Sequence, residues 1–222
     1  MQPIIFLNIA YMTYYDGISE NDKPINGGKW VNENSSAHES HNFSVITFDD
    51  NEKKYCLGYV QTKSDKINLK RIHGCKAVND DYQAEGIIVV WCATPKDGQR
   101  RVIGWYKNAT VIEQAQYYDL TLADNQQMEQ WYNCFSLKED CVLLPEDERS
   151  LSKWYVPSSP TNNYHFGFGQ ANVWYGQITN NTKKAYSKDE LELCQSKLDE
   201  YLETLIENIE NYDGENWLDD FN

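Results

Sequence analysis

Short segments with the composition of β-strands recur through the first half of the chain, and this pattern restricts the fold more than any other feature. The segments are rich in Val, Ile, Tyr and Trp and are bounded by Asp, Asn, Gly or Lys: residues 4–9, 43–48, 55–60, 67–69, 86–94 and 101–106. Pro95 to Gly98 has the residues of a hairpin turn between the last two. Short strands about ten residues apart are typical of a twisted sheet that curls towards a barrel, not of βαβ repeats. We therefore predict an α+β fold with a barrel-like mixed β-sheet and peripheral helices.

The second half of the chain is different in character and ends in an amphipathic helix. A polar, Gln-rich stretch after residue 113 contains a predicted helix over 122–131, and residues 141–145 are expected to form a short strand. Ser187 and Glu190 form a capping-box pattern at the start of the last helix. Apolar residues then recur three and four positions apart at 191, 194, 198, 201 or 202, 205 and 209, and the other face of this helix is acidic.

The length and the cysteine pattern indicate one sizeable domain in a reducing compartment. A chain of 222 residues can bury a core without disulfides, and its six cysteines have neither metal-knuckle spacing nor the density of a disulfide framework. The sequence shows no signal-peptide pattern and no apolar stretch of membrane-spanning length, so we expect a cytoplasmic protein without a membrane partner. We expect a domain over 1–180, a helix over 187–211 that packs on it or on a partner, and an acidic tail over 212–222.

Catalytic and metal-binding motifs are not recognisable in the sequence. The histidines of His38-Glu39-Ser40-His41 are three residues apart in a polar stretch, whereas a zincin helix needs them four apart to share a face. Residues 166–171 lack the third glycine of a dinucleotide-binding fingerprint, and no P-loop, nucleophile elbow or HNH nuclease core occurs. We therefore expect a protein that is not an enzyme and that uses no cofactor or metal.

The net charge of −14 is distributed unevenly along the chain. Residues 51–111 have a local charge of +5, whereas residues 1–50, 112–186 and 187–222 have charges of −5, −4 and −10. The basic side chains of the middle segment include Lys63, Lys66, Lys70, Arg71, Lys76, Arg100, Arg101 and Lys107. Such asymmetry is expected of a patch that faces a polyanion and also of a solvated face with surplus lysines, and the sequence leaves both open.

Aromatic residues make up 14% of the chain, and several stand beside amide or charged residues near the ends of predicted strands. A pocket for an unstacked base needs a ring for stacking, together with donors and acceptors for the edge of the base. Trp30 follows two glycines and Trp105 lies close to Lys107 and Asn108, so both are predicted to line such a pocket. Trp91 lies inside a continuous apolar run and is predicted to be a core residue.

Several of the same segments carry a family resemblance that spans residues 4–176. They are residues 27–31, 38–39, 42–43, 89–94, 102–111, 143–149 and 168–175, and the most specific part is Gly104-Trp105-Tyr106-Lys107-Asn108-Ala109-Thr110. In this order they resemble the N-terminal recognition region that precedes HNH nuclease domains in bacterial modification-dependent restriction endonucleases. The resemblance implies a reader of methylated or hydroxymethylated bases, similar to EVE and PUA-like domains in role and, by analogy, in fold. The sequence departs from the pattern of this family in two ways: no HNH segment follows, and the loop over 157–163 has no basic residue.

Together these observations predict a domain that recognises a modified nucleobase of DNA in an aromatic cage, as part of a bacterial restriction or antiviral defence protein. The predicted base-binding residues are Trp30, His38, Glu39, Trp105, Tyr106, Asn108, Asn172 and Trp174, and the predicted phosphate contacts are Arg101 and Lys107. The expected partners are modified DNA, with the base flipped out or in a single strand, and an HNH nuclease domain or a protein bound through the C-terminal helix. Two alternatives stay open: a sensor of a free nucleotide or other small molecule, and a protein-interaction subunit that docks through residues 187–222.

Overall fold

The computed structural model describes residues 2–27, 37–47, 53–64, 66–75, 82–121, 127–159, 166–179, 183–184 and 186–219. The strands are β1 (Ile4–Asn8), β2 (Val45–Thr47), β3 (Lys54–Gly58), β4 (Gln83–Ala93), β5 (Arg101–Thr121), β6 (Gln127–Leu137), β7 (Cys141–Leu143) and β8 (Val173–Trp174). The α-helices are α1 (Glu146–Arg149) and α2 (Lys188–Glu210). Short 3-10 helices cover His38–His41, Leu69–Arg71, Lys138–Asp140, Ser152–Trp154 and Trp217–Asp219.

The strands form one large mixed sheet in the order β2-β3-β6-β5-β4-β1-β8, and β7 pairs with β5 beside this path. Strands β1 and β4 are parallel, and the other neighbours are antiparallel. Strands β2 and β8 stand at opposite ends of the order and do not pair with each other in the described part of the chain, so the sheet is open. The predicted α+β class with a mixed sheet is confirmed.

The β4–β5 hairpin turns where the sequence predicts it. Gly98 has a φ of +81°, which favours glycine, and its backbone N–H donates to the carbonyl of Pro95 at 3.0 Å. The two strands then pair in antiparallel register from Ala93 and Arg101 onwards. This prediction is confirmed.

Residues 4–7 of β1 and 87–93 of β4 are buried on both faces, which explains their continuous apolar sequence. Leu7 and Trp91 belong to one core cluster, whereas their strand neighbours Phe6 and Val90 belong to the other. Successive side chains of a strand point to opposite faces, and a strand covered on both faces has an unbroken apolar run. Trp91 is fully buried, so its prediction as a core residue is confirmed.

Helix α2 covers the second of these clusters. The Ser187 hydroxyl accepts a hydrogen bond from the Glu190 backbone, and the Glu190 carboxylate accepts one from the Ser187 backbone, so the predicted capping box is confirmed. The buried residues of the helix are Cys194, Leu198, Leu202, Leu205 and Ile209, and all five pack in the same cluster as Phe6 and Val90. In the described part of the chain, no helix combines the length and apolarity that crossing a membrane requires.

The predicted helix over 122–131 is wrong. Strand β6 begins at Gln127, and its residues pair with the end of β5, for example Trp131 opposite Tyr117 and Gln130 opposite Tyr118. Residues such as Gln and Met favour a helix locally, but cross-strand partners outweigh that preference once β5 extends to Thr121. Residues 122–126 lie outside the described part of the chain.

The acidic tail predicted over 212–222 packs back on the sheet, as far as residue 219. Asn216 accepts a hydrogen bond from the Leu143 backbone at 3.0 Å and donates one to the Cys141 carbonyl at 3.0 Å. Leu218 is fully buried in the core cluster that contains Trp91. A strand edge has unpaired backbone groups, and the Asn216 amide satisfies those of β7.

The cysteines are free thiols, five of them buried and Cys75 half-buried. Burial raises the pKa of the Cys134 and Cys141 thiols well above their usual range. The reactive form is the thiolate, so these buried thiols are structural residues.

Candidate functional site

Trp105 and Tyr106 are core residues, which corrects the prediction that they line an open pocket. They are adjacent on β5 and therefore point to opposite faces, and both are fully buried. The Trp105 ring lies 5.2 Å from that of Trp154, and the Tyr106 ring lies 5.4 Å from that of Trp91. Polar neighbours made this part of β5 look exposed, but α2 and the segment around Trp154 cover Trp105, and the rings of Phe43 and Trp91 cover Tyr106.

The predicted phosphate contacts already have acidic partners. The Arg101 guanidinium lies 2.6 Å from the Asp97 carboxylate, and the Lys107 ammonium lies 3.7 Å from a Glu210 carboxylate oxygen. Asn108 is exposed with a φ of +47°, and its amide donates to Asp140 at 3.1 Å. These three residues of β5 do not line the cavities described below.

Of the predicted residues near the N-terminus, His38 lies in a cavity wall. Its neighbour Glu39 holds the chain in place, because the Glu39 carboxylate accepts a hydrogen bond from the Ala10 backbone at 3.1 Å. Both belong to the 3-10 helix over 38–41, and His41 binds the Ser44 hydroxyl at 3.0 Å. Trp30 lies outside the described residues.

Asn172 and Trp174 flank a second cavity. The Asn172 side chain is exposed and donates to the Gln61 carbonyl at 3.1 Å. Trp174 is buried and stacks on Phe6 with 4.4 Å between ring centroids. Asn172 is therefore accessible to a ligand, whereas the Trp174 ring mainly supports the core.

A cavity of about 420 Å³ lies beside the irregular part of the β5–β6 pair, and we call it the aromatic pocket. Its rings are those of His38, Tyr59 and Trp131, with centroids 5.9 Å apart for the first two and 6.5 Å apart for the last two. The other lining residues are Val60, Thr62, Gln114, Ala115 and Asn133. The exposed Tyr117 ring stands 5.7 Å from Trp131. The pocket therefore joins aromatic surface to amide groups.

A large bulge in β5 opens this pocket. Residues 112–115 stand opposite Asn133 alone, because the register of β5 and β6 shifts between the paired residues on either side. Within the bulge, the Glu113 carbonyl accepts a hydrogen bond from the Ile67 backbone at 2.8 Å. Bulges interrupt the ladder, bend the strand and are common beside functional sites. This bulge places Gln114 and Ala115 in the pocket wall.

Two buried asparagines hold the backbone that carries the Tyr59 ring. The Asn42 amide donates to the Tyr59 carbonyl and accepts from the Tyr59 N–H, both at 2.9 Å. The Asn133 amide does the same for Val60, at 2.8 and 3.1 Å. Where the chain leaves β3, these amides take the place of the backbone hydrogen bonds that a neighbouring strand would make. Tyr59 is therefore held in position without a strand beside it.

The sequence analysis missed Tyr59, Trp131, Gln114 and Asn133. A usable signal was present, because Trp131 lies two residues before Asn133 and so also places an aromatic residue near an amide, as Trp105 does with Asn108. The incorrect helix over 122–131 concealed it.

Beyond Thr62, the aromatic pocket adjoins a cavity of about 340 Å³, which shares lining residues with another of about 740 Å³. We call these two cavities the basic groove. Its basic side chains are Lys63, Lys66, Lys70 and Arg71. Four cations of the basic middle segment therefore converge on one concave surface.

Arg71 is held in position at this groove. Its guanidinium lies 4.4 Å from the centroid of the Tyr175 ring, a cation–π arrangement. The Tyr175 hydroxyl accepts a hydrogen bond from the Asn68 backbone at 2.9 Å, which fixes the ring. Lys66 lies 3.4 Å from Glu113, and because Lys66 is exposed and Glu113 is partly exposed, the pair holds Lys66 only weakly.

Among the described residues, no group of three His, Cys, Asp or Glu side chains is arranged to hold a metal ion. No family model, curated protein or solved structure matches the chain. The geometry of the pocket and the groove is therefore the basis for a functional assignment.

Proposed function

We propose that this chain is a non-catalytic recognition domain that holds a nucleobase of DNA, in modified form, in the aromatic pocket. The observation that carries the proposal is the clustering of the His38, Tyr59 and Trp131 rings with amide side chains around one cavity. Its volume of about 420 Å³ lies within the range of about 300–1,000 Å³ that is usual for small-molecule sites.

The chemistry of the pocket suits a flat heterocycle with polar edges. The ring of Tyr59 or of Trp131 can stack on the face of any base. The exposed Gln114 side chain offers both a donor and an acceptor to the edge of that base. Thr62 lines the same wall, and its buried hydroxyl has no hydrogen-bond partner among the described residues, so rotation about χ1 would offer a ligand one further group.

The wider setting is part of the same proposal. The domain would act in a bacterial restriction or antiviral defence protein of the cytoplasm, as a relative of the EVE and PUA-like readers whose sheet curls towards a barrel. Cleavage would then belong to an HNH nuclease domain or a separate protein. The sequence resemblance supports this setting, and the mixed sheet is compatible with it.

The test is equilibrium binding of fluorescent oligonucleotides with cytosine, 5-methylcytosine or 5-hydroxymethylcytosine at one position. We expect a modified oligonucleotide to bind more tightly than the unmodified one. Trp131→Ala should weaken binding about 5- to 150-fold, because stacking contributes about 1–3 kcal/mol per base. Trp131→Phe, which keeps a ring, should retain most of the affinity.

Tyr155→Ala is the matched control, since Tyr155 is an exposed aromatic residue that does not line the pocket. Thermal unfolding of each variant checks that the fold is intact. Equal, weak binding of all three oligonucleotides would refute the proposal. Stabilisation by a free nucleotide, without any preference among oligonucleotides, would instead support a small-molecule sensor.

A further inference from the structure

We infer that the basic groove binds the backbone of a single DNA strand, one base of which occupies the aromatic pocket. This inference rests on the proposed function of the pocket and adds the strand state of the DNA and the residues that hold its phosphates. Lys63, Lys66, Lys70 and Arg71 take that role in place of Arg101 and Lys107.

The first argument is continuity. Thr62 lines both the aromatic pocket and the adjoining cavity of the groove. Ser64, Lys66, Arg71 and Tyr175 are shared by the two cavities of the groove. The aromatic pocket and the basic groove are therefore adjacent, which allows one strand to occupy both.

The second argument is the availability of the cations. Lys63, Lys70 and Arg71 are exposed, and none of them has an ion-pair partner within the described residues. Among the described lining residues Glu113 is the one acid, and Lys66 faces it. A guanidinium already ordered by stacking loses little freedom when it binds phosphate through two hydrogen bonds. The groove is thus locally positive on a chain that is acidic as a whole.

The third argument is the opposite wall, which is neutral and polar. It includes Gly169, Gln170 and Asn172, which are exposed. A Cβ built on Gly169 would meet open space, so a strand can approach the backbone closely there. This wall offers amides and backbone N–H groups to sugar and phosphate oxygens without adding negative charge.

The fourth argument concerns the state of the DNA. Tyr82 lines the groove with 67% of its surface exposed, and Tyr117 stands beside the pocket with 56% exposed. Tyr82 is held with a φ of +56°, and its carbonyl accepts a hydrogen bond from the Glu113 backbone. Rings presented in this way stack on the faces of bases, and duplex DNA hides those faces. The ligand is therefore an unstacked strand.

Anisotropy titrations with a labelled 12-nucleotide single strand and a hairpin duplex of the same sequence test this inference. Each DNA is prepared with 5-hydroxymethylcytosine or with cytosine at its centre. We expect the single strand to bind about tenfold or more tightly than the duplex. If the strand contacts the protein through four phosphates, a plot of the logarithm of its binding constant against the logarithm of the salt concentration should have a slope of about −2.8.

The diagnostic variant is Lys63→Gln with Arg71→Gln, and its matched control is Lys96→Gln with Lys188→Gln, which removes two exposed charges outside the groove. The groove variant should weaken single-strand binding about tenfold or more, and it should make the salt slope shallower by about 1.4, because two contacts are lost. The control should keep the wild-type slope. Groove and control variants with equal affinities, or a duplex that binds as tightly as the single strand, would overturn the inference.

The two proposals fail separately in this experiment. The ratio of modified to unmodified affinity reports on the pocket, and the difference in salt slope between groove and control variants reports on the groove. A ratio of one with a normal slope difference would refute modified-base recognition and support the groove. A high ratio without a slope difference would support the pocket and refute the groove.

Discussion

The side-chain amide of Asn133 hydrogen-bonds both backbone groups of Val60, donating to its carbonyl at 2.8 Å and accepting from its N–H at 3.1 Å. Asn133 is the residue of β6 that stands opposite the bulge in β5. Its side chain therefore supplies hydrogen-bond partners to Val60, just after the end of β3, where the strand ladder has stopped. The amide thereby joins the wall that carries Tyr59 to the wall that carries Trp131. Together with Asn42, which pairs with Tyr59 in the same way, this side chain holds one wall of the aromatic pocket.

Asn133→Ala should destabilise the protein by about 2–6 kcal/mol, because each of two buried backbone groups left unpaired costs about 1–3 kcal/mol. Urea unfolding measures the loss, and oligonucleotide affinity should fall with it. Asn21→Ala, at an exposed asparagine, is the control and should change stability by less than about 0.5 kcal/mol. An Asn133→Ala protein as stable as the control would show that the Val60 groups find other partners.

Trp105→Ala should destabilise the fold by about 3–5 kcal/mol, as expected for a large core residue. The ring is fully buried between Trp154 and Tyr212, so its loss leaves a cavity that the surrounding helix cannot fill. Chemical denaturation measures the effect, and Trp105→Phe should be milder. A Trp105→Ala variant that folds with normal stability but loses base binding would contradict the assignment of Trp105 to the core.

Ser187→Ala should cost about 1 kcal/mol, since the hydroxyl caps the first turn of α2. Ser187→Asp should restore most of that stability, because a carboxylate also accepts from the N-terminal backbone and suits the positive end of the helix dipole. Ser196→Ala, at an exposed position within the helix, is the control and should have little effect. Equal stability of the Ser187→Ala and Ser196→Ala proteins would mean that the cap contributes nothing.

Stability should fall as the pH rises from about 10 to 12, partly because of Tyr11. Burial, followed by the hydrogen bond to Glu146, raises the pKa of Tyr11 from 10.0 to about 12. A folded-state pKa above the unfolded value means that the stabilisation is complete below pH 10 and is lost as the pH rises through the folded pKa. Tyr11→Phe should flatten this part of the pH–stability curve, and thermal unfolding between pH 8 and 12 measures it. An unchanged curve in Tyr11→Phe would show that Tyr11 does not contribute.

Sequence-based prediction of the fold succeeded where the pattern was local. Pro95 to Gly98 specified a turn, Ser187 and Glu190 specified a helix start, and the apolar run around Trp91 specified a buried strand. It failed at residues 127–131, where local composition favours a helix and pairing with β5 decides for a strand. Prediction of the site was weaker, because the roles of Trp105 and Trp131 depend on what covers them.

The sequence by itself determined the class of the fold, the amphipathic helix, the high content of aromatic residues and the basic middle segment, since each depends on residue type and spacing. Only the tertiary structure decided which rings are core and which line a pocket, and that Lys63 and Arg71 share a groove while Arg101 and Lys107 have acidic partners. The physical reason is that burial and convergence depend on contacts between residues far apart in the chain. The pairing of Asn133 with Val60 is such a contact, and without it neither partner is exceptional in the sequence.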